Sequence, residues 1–509
     1  MSFTETRSFS KIVVIGAGFS GLAMACQLQA KFKCDDYLIY DRSPAPGGAW
    51  WANRYPGCAV DIPAVLYSLS FAPNPEFSEV FPSQGEILEY FNDVAERFDV
   101  SRHIVPNTKW EGAYWQDLTS TWLVKLKNLS NGETFFQECK LLISAVGGLV
   151  DPNPFNVPGV DVFEGDIIHT ARWKADTSLA QKDVVIVGNG CKSLIVCSRT
   201  IANSLQGSAA QLVPSIADEV KSISQFIRTP QHYLQNENMQ IDEGWRLIFR
   251  HVPGVMWLFR VVVFLYLEST ASRFNVDGNG TKARNQSAER SQAYIKRSAP
   301  DDPIVAIRPR SVLTKSGQEH PADLILLATG FSLTQYDVEL EGRNGRTRSE
   351  HWNFFGYKEA YKSVAMSGFP NFFYVLGPNS GKSHTSTIYS IENFVDLITH
   401  VIAPVIKGHS PFVEVKADSE KLYNKMLHTT IASTVFNNSC GSYFIDPKTR
   451  KNWFIYPWSS FIMWCSTHWG CADDWMYDVR PRKKQWMPLF RFVLLIFTLG
   501  MAILSFIWY

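Results

Sequence analysis

Residues 11–21 read Lys-Ile-Val-Val-Ile-Gly-Ala-Gly-Phe-Ser-Gly, and the fold class follows from this stretch. Four consecutive β-branched residues predict a buried strand. They run into Gly16, Gly18 and Gly21 in GxGxxG spacing. Gly16 permits the tight turn, Gly18 lets the backbone approach a pyrophosphate at the positive end of a helix, and Gly21 permits close helix-strand packing. The next residues, Leu22 to Ala30, are mostly good helix formers, and Tyr37-Leu-Ile-Tyr40 reads as a second strand stopping at Asp41. An acid 20 residues past the last glycine is placed to accept ribose hydroxyls. Strand, glycine turn, helix, strand and spaced acid together predict an α/β dinucleotide-binding unit.

Beyond Asp41 come Gly47-Gly48-Ala49-Trp50-Trp51, Arg54-Tyr-Pro-Gly57, Asp61 and Tyr67. Paired glycines let backbone approach a flat ligand, and Trp50, Trp51 and Tyr67 can line its rings. GGAW, RYPG, AVDIP and LYS, in this order, resemble the Baeyer–Villiger monooxygenases, which are class B flavoprotein monooxygenases using FAD and NADPH. The resemblance puts Asp61 on that family's flavin-side aspartate, the one candidate catalytic residue, and Tyr67 on its flavin-contacting tyrosine. Ala49 stands for the usual Thr and Asp41 for the more usual Glu.

Phe163-x-Gly165-x-x-x-His169-x-x-x-Trp173 matches the family fingerprint, departing only at Lys174, where Pro or Asp is usual. The resemblance implies that these residues shape the interdomain linker, so neither His169 nor Trp173 is nominated as acid or base. Asp183-Val-Val-Ile-Val-Gly188-Asn-Gly190 resembles the opening of the family's NADP domain, and Arg228-Thr229 match its acceptor of the 2′-phosphate. The distance from Gly188 to Arg228 is 40 residues, about twice the usual spacing. Removing Lys192–Gly207, 16 residues, restores the contiguous reading GNGC-SAAQLVP. This segment is either a translated intron or a genuine surface insertion, and it is expected to displace the helix terminus that should face the pyrophosphate.

A second irregularity follows Ser291 to Asp302 (SQAYIKRSAPDD). In the family a comparable segment precedes a few tens of residues with a GCKR-type motif, whose Arg stabilises the oxygenated flavin. Here Asp302 runs directly into Pro303-Ile-Val-Ala-Ile, so the resemblance supplies no position for that Arg; Arg308 and Arg310 belong to the later strand. Asp323 to Phe331 (DLILLATGF) resembles the return to the flavin domain, and Phe369 to Asn379 reads as a further strand and turn. His384 lacks a spaced acid and nucleophile and reads as a pocket-lining or capping group rather than a triad member.

The 509-residue chain carries 49 Lys and Arg against 48 Asp and Glu, so no basic field exists to attract nucleic acid. Its composition, 46% hydrophobic and 14% aromatic, is that of a folded protein rather than a disordered one. Nine Cys without a CxxC indicate neither a metal site nor a disulfide framework, and a reduced, cytosol-facing chain is expected. No secretory signal opens the sequence. Phe492–Tyr509 is an uncharged run of 18 residues behind Arg480, Arg482, Lys483, Lys484 and Arg491. As a helix it would be roughly 27 Å long, close to a bilayer core. A single-pass tail anchor with the body cytosolic, in keeping with the endoplasmic reticulum, is expected. The shorter apolar stretch Met256–Leu267 contains Arg260 and reads as a helix packed on the body or lying at a membrane surface.

The expected architecture is α/β. An FAD-binding domain (1–150 and 326–485) encloses an NADP-binding domain with a helical insertion (151–325), and a transmembrane helix (489–509) follows. The resemblance implies an NADPH-dependent FAD monooxygenase inserting one oxygen atom of O2 into a lipophilic, ketone-bearing substrate. A flavin hydroxylase or oxidase without insertion, and an inactive flavin-binding relative, are the alternatives left by the missing Arg segment.

Overall fold

A computed structural model describes residues 8–188, 208–227, 238–285, 302–332, 334–382, 384–437, 445–446, 449–469 and 472–478. Gly190, the segment 192–207, Arg228, Thr229 and the expected tail helix lie outside these residues.

The predicted first strand is Ser8–Ile15, with Ile12, Val13 and Val14 fully buried. Covered on both faces, it is the continuous apolar run expected of a parallel sheet. It pairs in parallel with Tyr37–Tyr40 on one side and Thr134–Ser144 on the other. Tyr37–Tyr40 passes the sheet on to Ile104–Val105, and the end of Thr134–Ser144 receives Phe372–Tyr374, also in parallel. An antiparallel meander of Thr108–Gln116 and Thr121–Asn128 extends the same sheet, with Glu339–Glu341 at its edge. Helices Phe19–Phe32 and Thr387–Ile406 share one core, in which Leu22, Met24 and Leu28 are buried with Ile391, Phe394 and Ile398. This first unit therefore takes strands and helices from both sides of a long excursion.

The excursion builds a second parallel sheet, in the order Ser222–Phe226, Asp183–Val187, Leu324–Leu327, Asp166–His169. Strand alternation divides its side chains. Val184, Ile186, Leu324 and Leu326 face helix Ser208–Ile216, formed by the predicted SAAQLVP segment. Val185, Ile325 and Leu327 face the antiparallel strands Ile304–Arg308, Ser311–Thr314 and Glu319–Pro321.

The helical insertion contributes Glu243–His251 and Val255–Ser269. The second is packed on the body: Met256, Val263, Phe264 and Leu267 lie against Ile62, Val65, Leu66 and Tyr67. Among the described residues, Val255–Phe274 is the one helical stretch long and apolar enough to cross a membrane, with a mean hydropathy of 1.4.

Candidate dinucleotide sites

Helix Phe19–Phe32 starts at Gly18 without a side-chain cap and with no acid in its first turn. Its N-terminal amides and positive dipole end are therefore not met by a capping side chain or an acid of the first turn, the condition for binding a pyrophosphate. Gly16 has φ +110°, and a Cβ there would lie 2.5 Å from the Ala145 carbonyl oxygen. Asp41 is fixed by two backbone donors, with Oδ2 accepting from Ala17 N–H and Oδ1 from Ser43 N–H, each at 2.7 Å. Each oxygen keeps a lone pair, so the carboxylate remains able to accept ribose hydroxyls. Gly48 closes onto this loop: a Cβ at Gly48 would stand 2.9 Å from the Gly18 Cα, and Gly47 N–H donates to the Ala17 carbonyl. The two glycine motifs thus form one cradle, and its donor set and bare backbone fit the dinucleotide part of FAD.

Trp50, Tyr67 and Asp61 form the wall beyond the cradle. Trp50 Nε1–H donates to Tyr67 Oη at 3.1 Å, with the rings edge-to-face at 5.5 Å. Because Tyr67 Oη accepts this bond, its own proton remains available to donate. Burial, with Asp61 adding to it, holds the Tyr67 phenol protonated by raising its pKa. Burial also pushes the half-buried Asp61 carboxyl up to about 7, opposed by its own backbone N–H. Trp51 turns away to stack under Arg54, whose guanidinium carbon lies 3.4 Å from the ring centroid.

The RYPG segment docks the second unit. Tyr55 is buried in the core of the second sheet, and its hydroxyl donates to Gln211 Oε1 at 2.7 Å. Gln211 Nε2 returns a bond to the Ala59 carbonyl at 2.9 Å. Gly57 has φ +76°; a Cβ there would sit 2.5 Å from the Gln211 carbonyl oxygen and closer still to Ser215 Oγ.

On the second unit, Gly188 ends strand Asp183–Val187 at φ +98°, and a Cβ would lie 2.5 Å from the Ala328 carbonyl oxygen. This is the same turn-against-backbone arrangement as at Gly16, as a second nucleotide turn requires. Its partners Gly190, Arg228 and Thr229 lie outside the described residues. His169 stitches the fingerprint to the ATG return: Nδ1 accepts from Ala171 N–H and Nε2–H donates to the Gly330 carbonyl, both at 3.1 Å. Burial lowers its pKa to about 4, so the ring is neutral at the crossover between the units.

Arg308 and Arg310 are engaged elsewhere, with Glu319 at 2.7 Å and Glu164 at 2.8 Å on the outer strands of the second unit. His384 does have an acid partner that sequence separation concealed: Nε2 lies 3.0 Å from Glu268 Oε2 of helix Val255–Ser269. A second pair, Arg260 with Glu392 at 3.3 Å, joins that helix to Thr387–Ile406.

Residues 14–82 match the family model described as an NAD(P)-binding Rossmann-like domain. A Baeyer-Villiger monooxygenase of Streptomyces coelicolor is 29% identical over 485 residues, covering 88% of each chain. One from Pseudomonas aeruginosa is 28% identical over 484 residues, covering 88% of this chain and 87% of its own. Among solved structures, the closed form of cyclohexanone monooxygenase superposes with a TM-score of 0.76 at 23% identity, covering 93% of this chain and all of that one. The polycyclic ketone monooxygenase of Thermothelomyces thermophila gives 0.77 at 18%, covering 94% and 91%. At these identities the structural matches speak for the fold.

Proposed function

We infer that this chain belongs to the Baeyer–Villiger monooxygenases, as an FAD- and NADPH-dependent oxidoreductase, and that its body oxidises a lipophilic ketone. The observation carrying this reading is the joined cradle of Gly16–Gly21 and Gly47–Gly48 with Asp41, flanked by the Trp50–Tyr67 pair, supported by two relatives similar over most of their lengths.

When bound, FAD supplies hydride acceptance from NADPH and the activation of O2. The helix terminus at Gly18 would hold the pyrophosphate and Asp41 the ribose, while Trp50 fixes the Tyr67 hydroxyl through its hydrogen bond. With a pKa near 7, Asp61 can hold or return a proton at its carboxylate without a large driving-force penalty. The neutral Tyr67 hydroxyl can donate to a substrate or cofactor oxygen, and the Phe19 and Trp50 rings packed edge-on against it help to limit its contact with water.

A second reading is flavin reduction and oxidase turnover without insertion into the ketone. It is favoured by the direct run from Asp302 into strand Ile304–Arg308, where the family's Arg segment would stand, and by the engagement of Arg308 and Arg310 elsewhere. The segment 489–509 is proposed as a tail anchor holding the body on the cytosolic side of the endoplasmic reticulum, with the Arg and Lys run of 480–484 at its cytosolic edge.

The test is to purify the holoprotein, mix it anaerobically with NADPH, and record the flavin spectrum. Bleaching, followed on admitting 18O2 by an ester or lactone carrying one labelled oxygen, is the expected result. Flavin that binds but does not bleach refutes the monooxygenase reading; bleaching with only hydrogen peroxide formed selects the oxidase reading.

A further inference from the structure

Helix Val255–Ser269 is turned inside out. Its two charged residues, Arg260 and Glu268, both point into the body. Arg260 donates to the Val65 and Ser68 carbonyls at 2.7 and 2.8 Å and pairs with Glu392, while Glu268 accepts from the Ser460 amide and lies against His384. The opposite face is apolar and open: Trp257 is 56% exposed, Leu258 52%, Val262 53% and Tyr266 65%. Trp245 of the preceding helix, 52% exposed, extends it. A helix at a water interface shows the reverse pattern, with charges outward. Here the outer face of Val255–Ser269 is built for a medium less polar than the body it covers, and the preceding helix adds Trp245 beside the charged residues Glu243, Arg246 and Arg250.

We propose that this face rests in the interfacial layer of a lipid bilayer. Trp and Tyr flanking aliphatic residues on one helix surface are the composition that settles at headgroup depth, and an apolar face with few charges is what an in-plane helix presents to acyl chains. The choice between lipid and a protein partner is decided by where the rest of the chain goes. The last described strand, Trp475–Tyr477, is tied down by Tyr477 Oη donating to the Val401 carbonyl. Tyr389 on the same helix as Val401 stacks near Phe264 of the inside-out helix, with centroids 5.1 Å apart. Twelve helical residues between those anchor points span about 18 Å. Residues 479–491 can reach about 43 Å when extended, so the basic run and the uncharged 492–509 can enter the same bilayer that the face touches. The inference rests on the tail-anchor reading for its choice of occupant, while the face itself stands on the described residues.

The test uses the full chain reconstituted into phosphatidylcholine–phosphatidylserine vesicles that contain a phospholipid with a photoactivatable diazirine on its acyl chain. Labelled sites are mapped by peptide mass spectrometry. Label is expected in 255–269 and in 492–509, and the double variant Leu258→Glu, Val262→Glu is expected to lose the former by at least about tenfold while its circular-dichroism melt stays unchanged. Label confined to 492–509 overturns the docking face and leaves the anchor standing. Label confined to 255–269 upholds the face and removes the anchor. If neither is labelled, or if chemical crosslinks join 255–269 of two copies and the double variant abolishes them, the face is not a lipid surface.

Discussion

Replacing His169 with Phe tests the link between the fingerprint and the return strand at a known magnitude. The new ring keeps the edge-to-face packing on Phe331, which lies 5.5 Å from the imidazole, but both hydrogen bonds are removed. The Ala171 amide is then left without its acceptor in the interior, while the Gly330 carbonyl loses one of two donors and keeps Asn153 N–H. Leaving the amide unsatisfied costs roughly 1–3 kcal/mol and losing the second bond to Gly330 roughly 1, so the variant should be about 3 kcal/mol less stable at pH 7.5. The difference must shrink in acid. Burial, aided by Arg172, lowers the His169 pKa from 6.5 to about 4. A His depressed in the folded state contributes stability that is fully present above 6.5 and is lost as pH falls from 6.5 through 4. At pH 5 the wild-type protein has forfeited about 2 kcal/mol, at about 1.4 kcal/mol per unit. The His169→Phe variant has no ring to titrate and forfeits nothing, so the gap should close to about 1 kcal/mol. Equilibrium urea unfolding at pH 7.5 and pH 5, followed by tryptophan fluorescence, measures both gaps. An equal or wider gap at pH 5 would refute the reasoning that His169 is held neutral by its burial.

Gly57→Ala should lower the melting temperature by several degrees and make helix Ser208–Ile216 more susceptible to protease, because the new Cβ strikes the Gln211 carbonyl as well as Ser215 Oγ. Adding Ser215→Ala should rescue only part of the loss; full rescue would show that the backbone contact is immaterial. Glu359 is fully buried, and burial, reinforced by Glu420 and only partly offset by the Tyr357 hydroxyl, raises its pKa from 4.5 to about 9. An acid raised in this way destabilises the fold progressively as pH rises from 4.5 toward 9, so Glu359→Gln should stabilise by up to about 3 kcal/mol at pH 7 and by almost nothing at pH 4.5. A lower melting temperature for the variant at pH 7 would contradict this. The rate of NADPH-driven flavin reduction should change with pH around 7, where Asp61 titrates, and Asp61→Asn should flatten that profile; an unchanged profile would assign the transition to another group.

The first nucleotide unit was legible because its signals are local: β-branched run, glycine turn, helix and acid fall within 31 residues, and each acts on its neighbours. The same locality explains what escaped. Tyr55 meets Gln211 across 156 positions, Arg260 meets Glu392 across 132, and His384 meets Glu268 across 116. No periodicity connects such partners, because the topology of the sheets brings them together. The stretch Met256–Leu267 shows the limit most clearly. A lone Arg in an apolar helix ordinarily marks a solvent face, yet Glu392 and two carbonyls draw Arg260 inward and reverse the helix. The joining of Gly18 to Gly48 was only half visible: each glycine pair announced a close approach, but nothing in the spacing said that each was the other's neighbour.

The strand Thr134–Ser144 has a consequence for synthesis. It pairs with Ser8–Ile15, already made, and with Phe372–Tyr374, which leaves the ribosome more than 200 residues later. The second sheet, closed by Leu324–Leu327, can assemble while the first still lacks the strands Glu339–Glu341 and Phe372–Tyr374 and the helix Thr387–Ile406 that seals its core. During that interval the glycine cradle stands on an unfinished sheet, with the apolar surface of helix Phe19–Phe32 uncovered. Any stall in translation between residues 330 and 406 would therefore leave the second sheet complete and attached to a first sheet unable to close.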